Sequence, residues 1–132
     1  LLIDDSAASN LIHEEMIKEM NIAEEIIQKD NAKEALSYLK GEHCGGNPTV
    51  PDLIFLDIEM PETDGFGFLE EFEKLDLKYT NNHKLIIAIL SNHLDSENFE
   101  KSKQFKATGV VDHIRKPIHK EDIECILEEH FE

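Results

Sequence analysis

The stretch Leu53-Ile54-Phe55-Leu56-Asp57-Ile58-Glu59-Met60-Pro61 decides the fold. Four apolar residues run without a break and stop at an acid. A strand with one solvated face alternates apolar and polar residues, whereas a strand covered on both faces does not. Residues 53–56 therefore predict a central strand of a parallel sheet ending at Asp57. A Pro/Gly/Asp loop follows over residues 60–65. Residues 85–90 repeat the pattern and stop at Ser91, and Leu1-Leu2-Ile3 stops at Asp4 and Asp5.

Helical patterns lie between these runs. Residues 7–20 place Leu11, Ile12, Met16 and Met20 on one face. Residues 31–40 carry Ala32, Ala35, Leu36 and Leu39 and close at Gly41. Residues 66–75 carry Phe68, Leu69, Phe72 and Leu75. Residues 96–107 predict a weaker helix, with Phe99, Lys103 and Lys106 on mixed faces. Residues 120–130 align Ile123, Ile126, Leu127 and His130. Two poorer strands complete the pattern. One covers residues 22–28, where Glu24-Glu25 indicates an edge. The other covers 110–114 and is followed by Arg115-Lys116-Pro117, since Pro117 cannot continue a central strand. Residues 42–51, with Gly45-Gly46-Asn47-Pro48, and 77–82 predict loops. No repeat or linker is visible, so one domain over residues 1–132 is expected. Five strands alternating with five helices predict an α/β fold with a doubly wound, mostly parallel sheet.

Charge narrows the function. Among 132 residues, 29 acids face 13 Lys plus Arg, a formal net charge of -16. That argues against a nucleic-acid partner, which needs clustered Lys and Arg, and against an anionic membrane surface. No apolar run approaches the length of a membrane span. Cys44 and Cys125 sit in no metal spacing, and no signal peptide is visible, which suits a reducing cytoplasmic location. The chain starts at Leu1, inside an apolar run and without Met, so further residues are expected before it. His13, His43, His83, His119 and His130 share no metal spacing and are expected at the surface.

In a parallel sheet the carboxyl ends of the strands share one rim. That rim gathers Asp4, Asp5, Asp57, Ser91 and Lys116. Clustered carboxylates repel one another and call for a cation. Oxygen ligands without His or Cys favour Mg²⁺, or Mn²⁺ in its place. Lys116 suits a phosphate as a point charge, and Ser91 can donate to a phosphoryl oxygen. A carboxylate can attack phosphorus. The set therefore suits a transient aspartyl phosphate, with the metal and Lys116 neutralising the transferring group.

Leu1-Leu2-Ile3-Asp4-Asp5-Ser6, the 53–61 stretch, Asp64-Gly65, Leu90-Ser91, Gly109 and Lys116-Pro117, in that order, resemble the receiver domain of two-component response regulators. Small single-domain receivers of the chemotaxis-regulator kind are the nearest resemblance. The resemblance implies a flavodoxin-like five-stranded sheet of order 2-1-3-4-5. It implies Asp57 as phosphoacceptor, Asp5 as a direct Mg²⁺ ligand, Asp4 as a ligand through water, and the backbone carbonyl of Glu59 as the third protein ligand. Ser91 and Lys116 would contact the phosphoryl group, and His113 would hold the aromatic switch position. Glu59, Asn92 and His93 would lie where the family modulates phosphoryl lifetime. The implied donor is a sensor histidine kinase or a histidine phosphotransfer protein. The implied output is contact with a downstream protein. A homodimer, where one forms, would use the fourth helix, fifth strand and fifth helix. Such a domain catalyses its own phosphorylation and dephosphorylation without being a classical enzyme.

Two positions depart from the family pattern. Asn92 stands where a small residue is usual, and should narrow access to the phosphoryl group or add a hydrogen bond. His113 replaces Tyr or Phe and would make a switch sensitive to pH near neutrality. These departures leave open a phosphate-independent pseudo-receiver. A Mg²⁺-dependent phosphohydrolase of the aspartyl-phosphate type is a third reading. Glu59 sits where its second acid would, but 132 residues leave little room for a cap domain.

Overall fold

Among the described residues, five strands of two to six residues alternate with five α-helices of eight to fourteen along this chain. The computed structural model describes residues 1–41, 51–60, 64–75, 85–92 and 96–130. The strands are β1 (Leu2–Ile3), β2 (Gln28–Lys29), β3 (Leu53–Asp57), β4 (Ile86–Ser91) and β5 (Val110–Arg115). The helices are α1 (Ala7–Met20), α2 (Ala32–Lys40), α3 (Gly65–Lys74), α4 (Ser96–Lys103) and α5 (Lys120–His130). The strands form one parallel sheet in the order β2-β1-β3-β4-β5. Leu2 pairs with Phe55, and Phe55 with Ala88, across its centre.

Alternation along the strands sends side chains to two cores. Ile3, Ile54, Leu56, Ile87 and Ile89 meet Ala35 and Leu39 of α2 and Phe68, Leu69 and Phe72 of α3. Leu2, Phe55, Ala88 and Leu90 meet Ile17 of α1 and Ile123 and Ile126 of α5. Each large side chain so buried contributes roughly 1.5–3 kcal/mol. The central runs are apolar because both of their faces are covered, as predicted.

Local chemistry sets the helix ends. The side chains of Ser6, Asn31 and Asp64 accept from Ser9, Glu34 and Gly67 N–H and cap α1, α2 and α3. Gly41 closes α2 at φ 79°, the left-handed conformation that glycine adopts without cost.

Three expectations need correction. In α1, Leu11 and Ile12 are exposed, and the buried face carries Asn10, His13 and Ile17. The helix is turned so that its two polar residues reach backbone groups at the strand ends. The strand predicted over residues 22–28 is reduced to Gln28–Lys29. Residues 22–25 are exposed, and only Ile27 C=O reaches back, accepting from Leu2 N–H. The helix predicted over 96–107 stops at Lys103, and a 3₁₀ turn follows at Lys106–Thr108. Phe105, between them, inserts into the α2–α3 core. The 42–51 loop up to residue 50, and the 77–82 connection, lie outside the described residues.

Candidate functional site

β1, β3, β4 and β5 are adjacent and parallel, so Asp4, Asp57, Ser91 and Lys116 follow one another along a single rim. Beyond the strands, Ile58 N–H donates to Leu90 C=O (3.1 Å) and Lys116 N–H to Ser91 C=O (2.8 Å). These bonds fix each loop to its neighbour. Gly65 lets α3 begin against the turn after β3. A Cβ there would lie 2.6 Å from Ile58 Cα and 2.8 Å from the Asp57 carbonyl oxygen.

The floor of the rim is buried and charged. Asp4 and Asp57 are each 1% exposed. Lys116 Nζ lies 2.7 Å from Asp4 Oδ2 and 3.2 Å from Asp57 Oδ2. Ser6 N–H donates to Asp4 Oδ1 and Glu59 N–H to Asp57 Oδ1, both at 2.9 Å. Asp5 is exposed at the mouth. One ligand oxygen from each of Asp4, Asp5 and Asp57 lies within 4.8 Å of the others. Burial pushes the Asp57 carboxyl up to about 6. The Glu59 N–H opposes that rise, the Asp4 charge adds to it, and Lys116 opposes it. Burial also works against the Lys116 charge. The hydrogen bond and charge of Asp4, then those of Asp57, outweigh it and hold the ammonium above its usual range.

Three carboxylates against one ammonium leave the floor short of positive charge. The donors are all oxygen, which fits a hard divalent cation such as Mg²⁺. Asp4, Asp5 and Asp57 are the side chains that could hold it, and the Glu59 carbonyl belongs to the turn that follows.

The opposite wall is closed on itself. Ser91 Oγ–H donates to Glu59 Oε1 at 2.6 Å. Asn92 donates from its backbone N–H to the same oxygen (2.9 Å) and from Nδ2 to Oε2 (3.1 Å). The hydrogen bonds that Asn92 makes here go to Glu59. Ser91 is fully buried, and its hydroxyl is engaged by Glu59. His113 is half-buried on β5, stacked on Phe99 with ring centroids 6.4 Å apart. His93 lies outside the described residues, as do Cys44, His43 and His83.

His13 corrects a further expectation. It is 2% exposed, not on the surface. Its Nε2 accepts from Ile118 N–H at 3.4 Å. Asn10, equally buried, donates from Nδ2 to Asp4 C=O (3.0 Å) and Lys29 C=O (3.4 Å). The sequence shows only their spacing, not which face of the helix is buried. Asn10, His13 and Ile17 fall at i, i+3 and i+7, one helical face directly after the acidic pair.

Comparison with known proteins agrees with this geometry. The family model "Response regulator receiver domain" matches residues 1–128. Histidine kinase CKI1 of Arabidopsis thaliana is 31% identical over 118 residues, 85% of this chain and 10% of that protein. The solved receiver domain of CKI1 complexed with Mg²⁺ superposes with a TM-score of 0.76 at 27% identity, covering 97% of this chain and 88% of that one. A two-component response regulator from Cytophaga hutchinsonii gives a TM-score of 0.81 at 23% identity, covering 97% and 92%, and shares the fold. The chain spans from 10% to 50% of the length of the curated relatives that it matches here. Among the described residues, no helix is long and apolar enough to cross a membrane.

Proposed function

This chain belongs to the response regulator receiver domain family, and on that premise we propose that it takes a phosphoryl group onto Asp57 and signals by contact with other proteins. The observation that carries the reading is the Asp57 carboxylate, buried at the end of β3, clustered with Asp4 and Asp5 and paired with the Lys116 ammonium that also pairs with Asp4.

A carboxylate oxygen of Asp57 attacks the phosphorus of a donor phosphohistidine. The new P–O bond forms as the P–N bond to the imidazole breaks, and the donor histidine leaves. Lys116 follows the developing charge from Asp57 Oδ2 to a phosphoryl oxygen. Glu59 N–H holds Asp57 Oδ1 and so fixes which oxygen attacks. Asp5, Asp57 and the Glu59 carbonyl, with Asp4 through water, would hold Mg²⁺, which would neutralise charge on the phosphoryl oxygens. The similar CKI1 receiver was solved in complex with Mg²⁺, which supports Mg²⁺ as the ion. Ser91, once released by Glu59, donates to the phosphoryl group. His113, on the neighbouring strand, answers that movement as the switch residue. Glu59, Asn92 and His93 set how long the aspartyl phosphate survives attack by water.

The family's donors are sensor histidine kinases and histidine phosphotransfer proteins, and one of these serves this chain. Output passes to a downstream protein, or to a second copy, through α4, β5 and α5. Added phosphate charge biases that surface only because its two states differ in affinity for the charge.

Incubation with a small phosphodonor and Mg²⁺ tests the reading by intact mass. A gain of one phosphoryl group, absent in Asp57→Asn, is expected. No gain in the wild-type chain supports the pseudo-receiver instead. Rapid turnover of unrelated phosphomonoesters supports the hydrolase.

A further inference from the structure

α1 carries two buried polar side chains that the phosphoryl chemistry does not touch. Both reach out of the helix to the backbone of the site. Asn10 ties α1 to the end of β1 through Asp4 C=O and to the end of β2 through Lys29 C=O. His13, one turn later, reaches Ile118, 105 residues away in sequence and two residues after Lys116. Ile118 is 1% exposed and packs in the α1–α5 core, so its N–H has no access to water. An apolar residue at position 13 would leave that N–H buried without its partner.

We propose that His13 is a positioning residue for Lys116: its imidazole pins the β5–α5 turn to α1 and thereby holds the ammonium over Asp4 and Asp57. The proposal rests on the receiver reading and adds a residue to it.

The chemistry of the ring is consistent with this. Nε2 accepts a hydrogen bond, so the neutral imidazole carries its proton on Nδ1. Burial holds the His13 pKa below its ordinary value; the Asp4 charge opposes this and the Lys116 charge adds to it. The ring is therefore neutral, the form that can accept. Nδ1 and Asn10 Oδ1 are buried and have no hydrogen-bond partner among the described residues. They are a complementary donor and acceptor one turn apart. A position that only filled core volume would not need a ring with two nitrogens.

Three measurements on the full chain test the proposal. Nitrogen-15 NMR of wild-type His13 should show the Nδ1–H tautomer, and an Nε2–H tautomer overturns the proposal because that nitrogen could not accept. His13→Leu should stay folded and bind Mg²⁺ as the wild type does, because Lys116 is no metal ligand. Its phosphorylation rate at saturating phosphoramidate should fall about tenfold or more, the scale expected when a charged group is displaced by a fraction of an ångström to one ångström. His13→Gln, whose Oε1 can accept from Ile118, should recover to within about threefold of wild type. A folded His13→Leu at the wild-type rate overturns the proposal, as does a His13→Gln no faster than His13→Leu. If the wild-type chain itself takes up no phosphoryl group, the receiver reading falls and this proposal with it. If wild type reacts and His13→Leu matches it, this proposal alone falls.

Discussion

The floor and the wall of the rim are built on opposite plans. On the floor, the buried Asp4 and Asp57 both pair with the half-buried Lys116 across three strand ends. The sheet ends place Asp4 and Asp57, the turn after β5 places Lys116, and a reacting group meets them already in place. On the wall, Ser91 and Asn92 are held by the Glu59 carboxylate, which accepts three hydrogen bonds from them. On the proposed reading those donors are the ones an aspartyl phosphate would need, so the floor would serve the transfer, the wall would respond to it, and phosphorylation would exchange one anion, Glu59, for another.

That contrast can be broken at four points. Asp57→Asn removes the acceptor from the floor, and the mass gain with phosphodonor should vanish. Persistence of the adduct would place the chemistry elsewhere. Lys116→Met removes the floor's cation and should slow phosphorylation about a hundredfold, on the scale of losing one group that stabilises transition-state charge. A rate within a few-fold of wild type would mean the lysine serves only the resting state.

Glu59→Gln keeps the shape of the wall and removes its charge. The wall should then yield more easily, and the phosphorylation rate should rise about three- to tenfold, corresponding to roughly 1 kcal/mol of lost hydrogen-bond strength. The gain should shrink in the Glu59→Gln, Ser91→Ala double variant, because the two residues share one bond. An unchanged rate in Glu59→Gln would show that the wall does not restrain the reaction.

The smallest effect is on stability. The Asp57 carboxyl is raised from 3.8 to about 6. The native state therefore holds this proton more tightly than the unfolded chain does. Its contribution is present in full below pH 4 and is lost as pH rises through 6. In chelator, melting temperature measured as wild type minus Asp57→Asn should fall over that interval and level off above it. Saturating Mg²⁺ should flatten the difference. A difference that rises with pH would mean that Lys116 outweighs burial on the floor.

Most of the fold was legible because burial on two faces leaves a strong mark. The 53–56 and 85–90 runs became β3 and β4, and the strand order implied by the resemblance is the one present. The acids and the lysine that end these runs meet, and Ser91 stands at the end of the adjacent strand, because a parallel sheet puts every carboxyl end on one edge. α2 and α5 followed their apolar stripes. α1 did not, since Leu11 and Ile12 outweighed Asn10 and His13 on hydropathy alone. Hydropathy does not register a polar side chain whose bonds are completed by a distant backbone. β2 was over-extended for a related reason, as an apolar residue at an edge need not be in a ladder.

The amino-acid sequence by itself determined the order of strands and helices and the cation-seeking acids at the strand ends. Each follows from periodicity or from neighbours a few positions apart. Tertiary structure alone decided that Glu59 holds Ser91 and Asn92, that α1 turns Asn10 and His13 inward, and that Lys116 bridges Asp4 and Asp57. Each of these is a hydrogen bond or ion pair between segments far apart in the chain. Its formation depends on the angle at which packed elements meet, which no local pattern encodes.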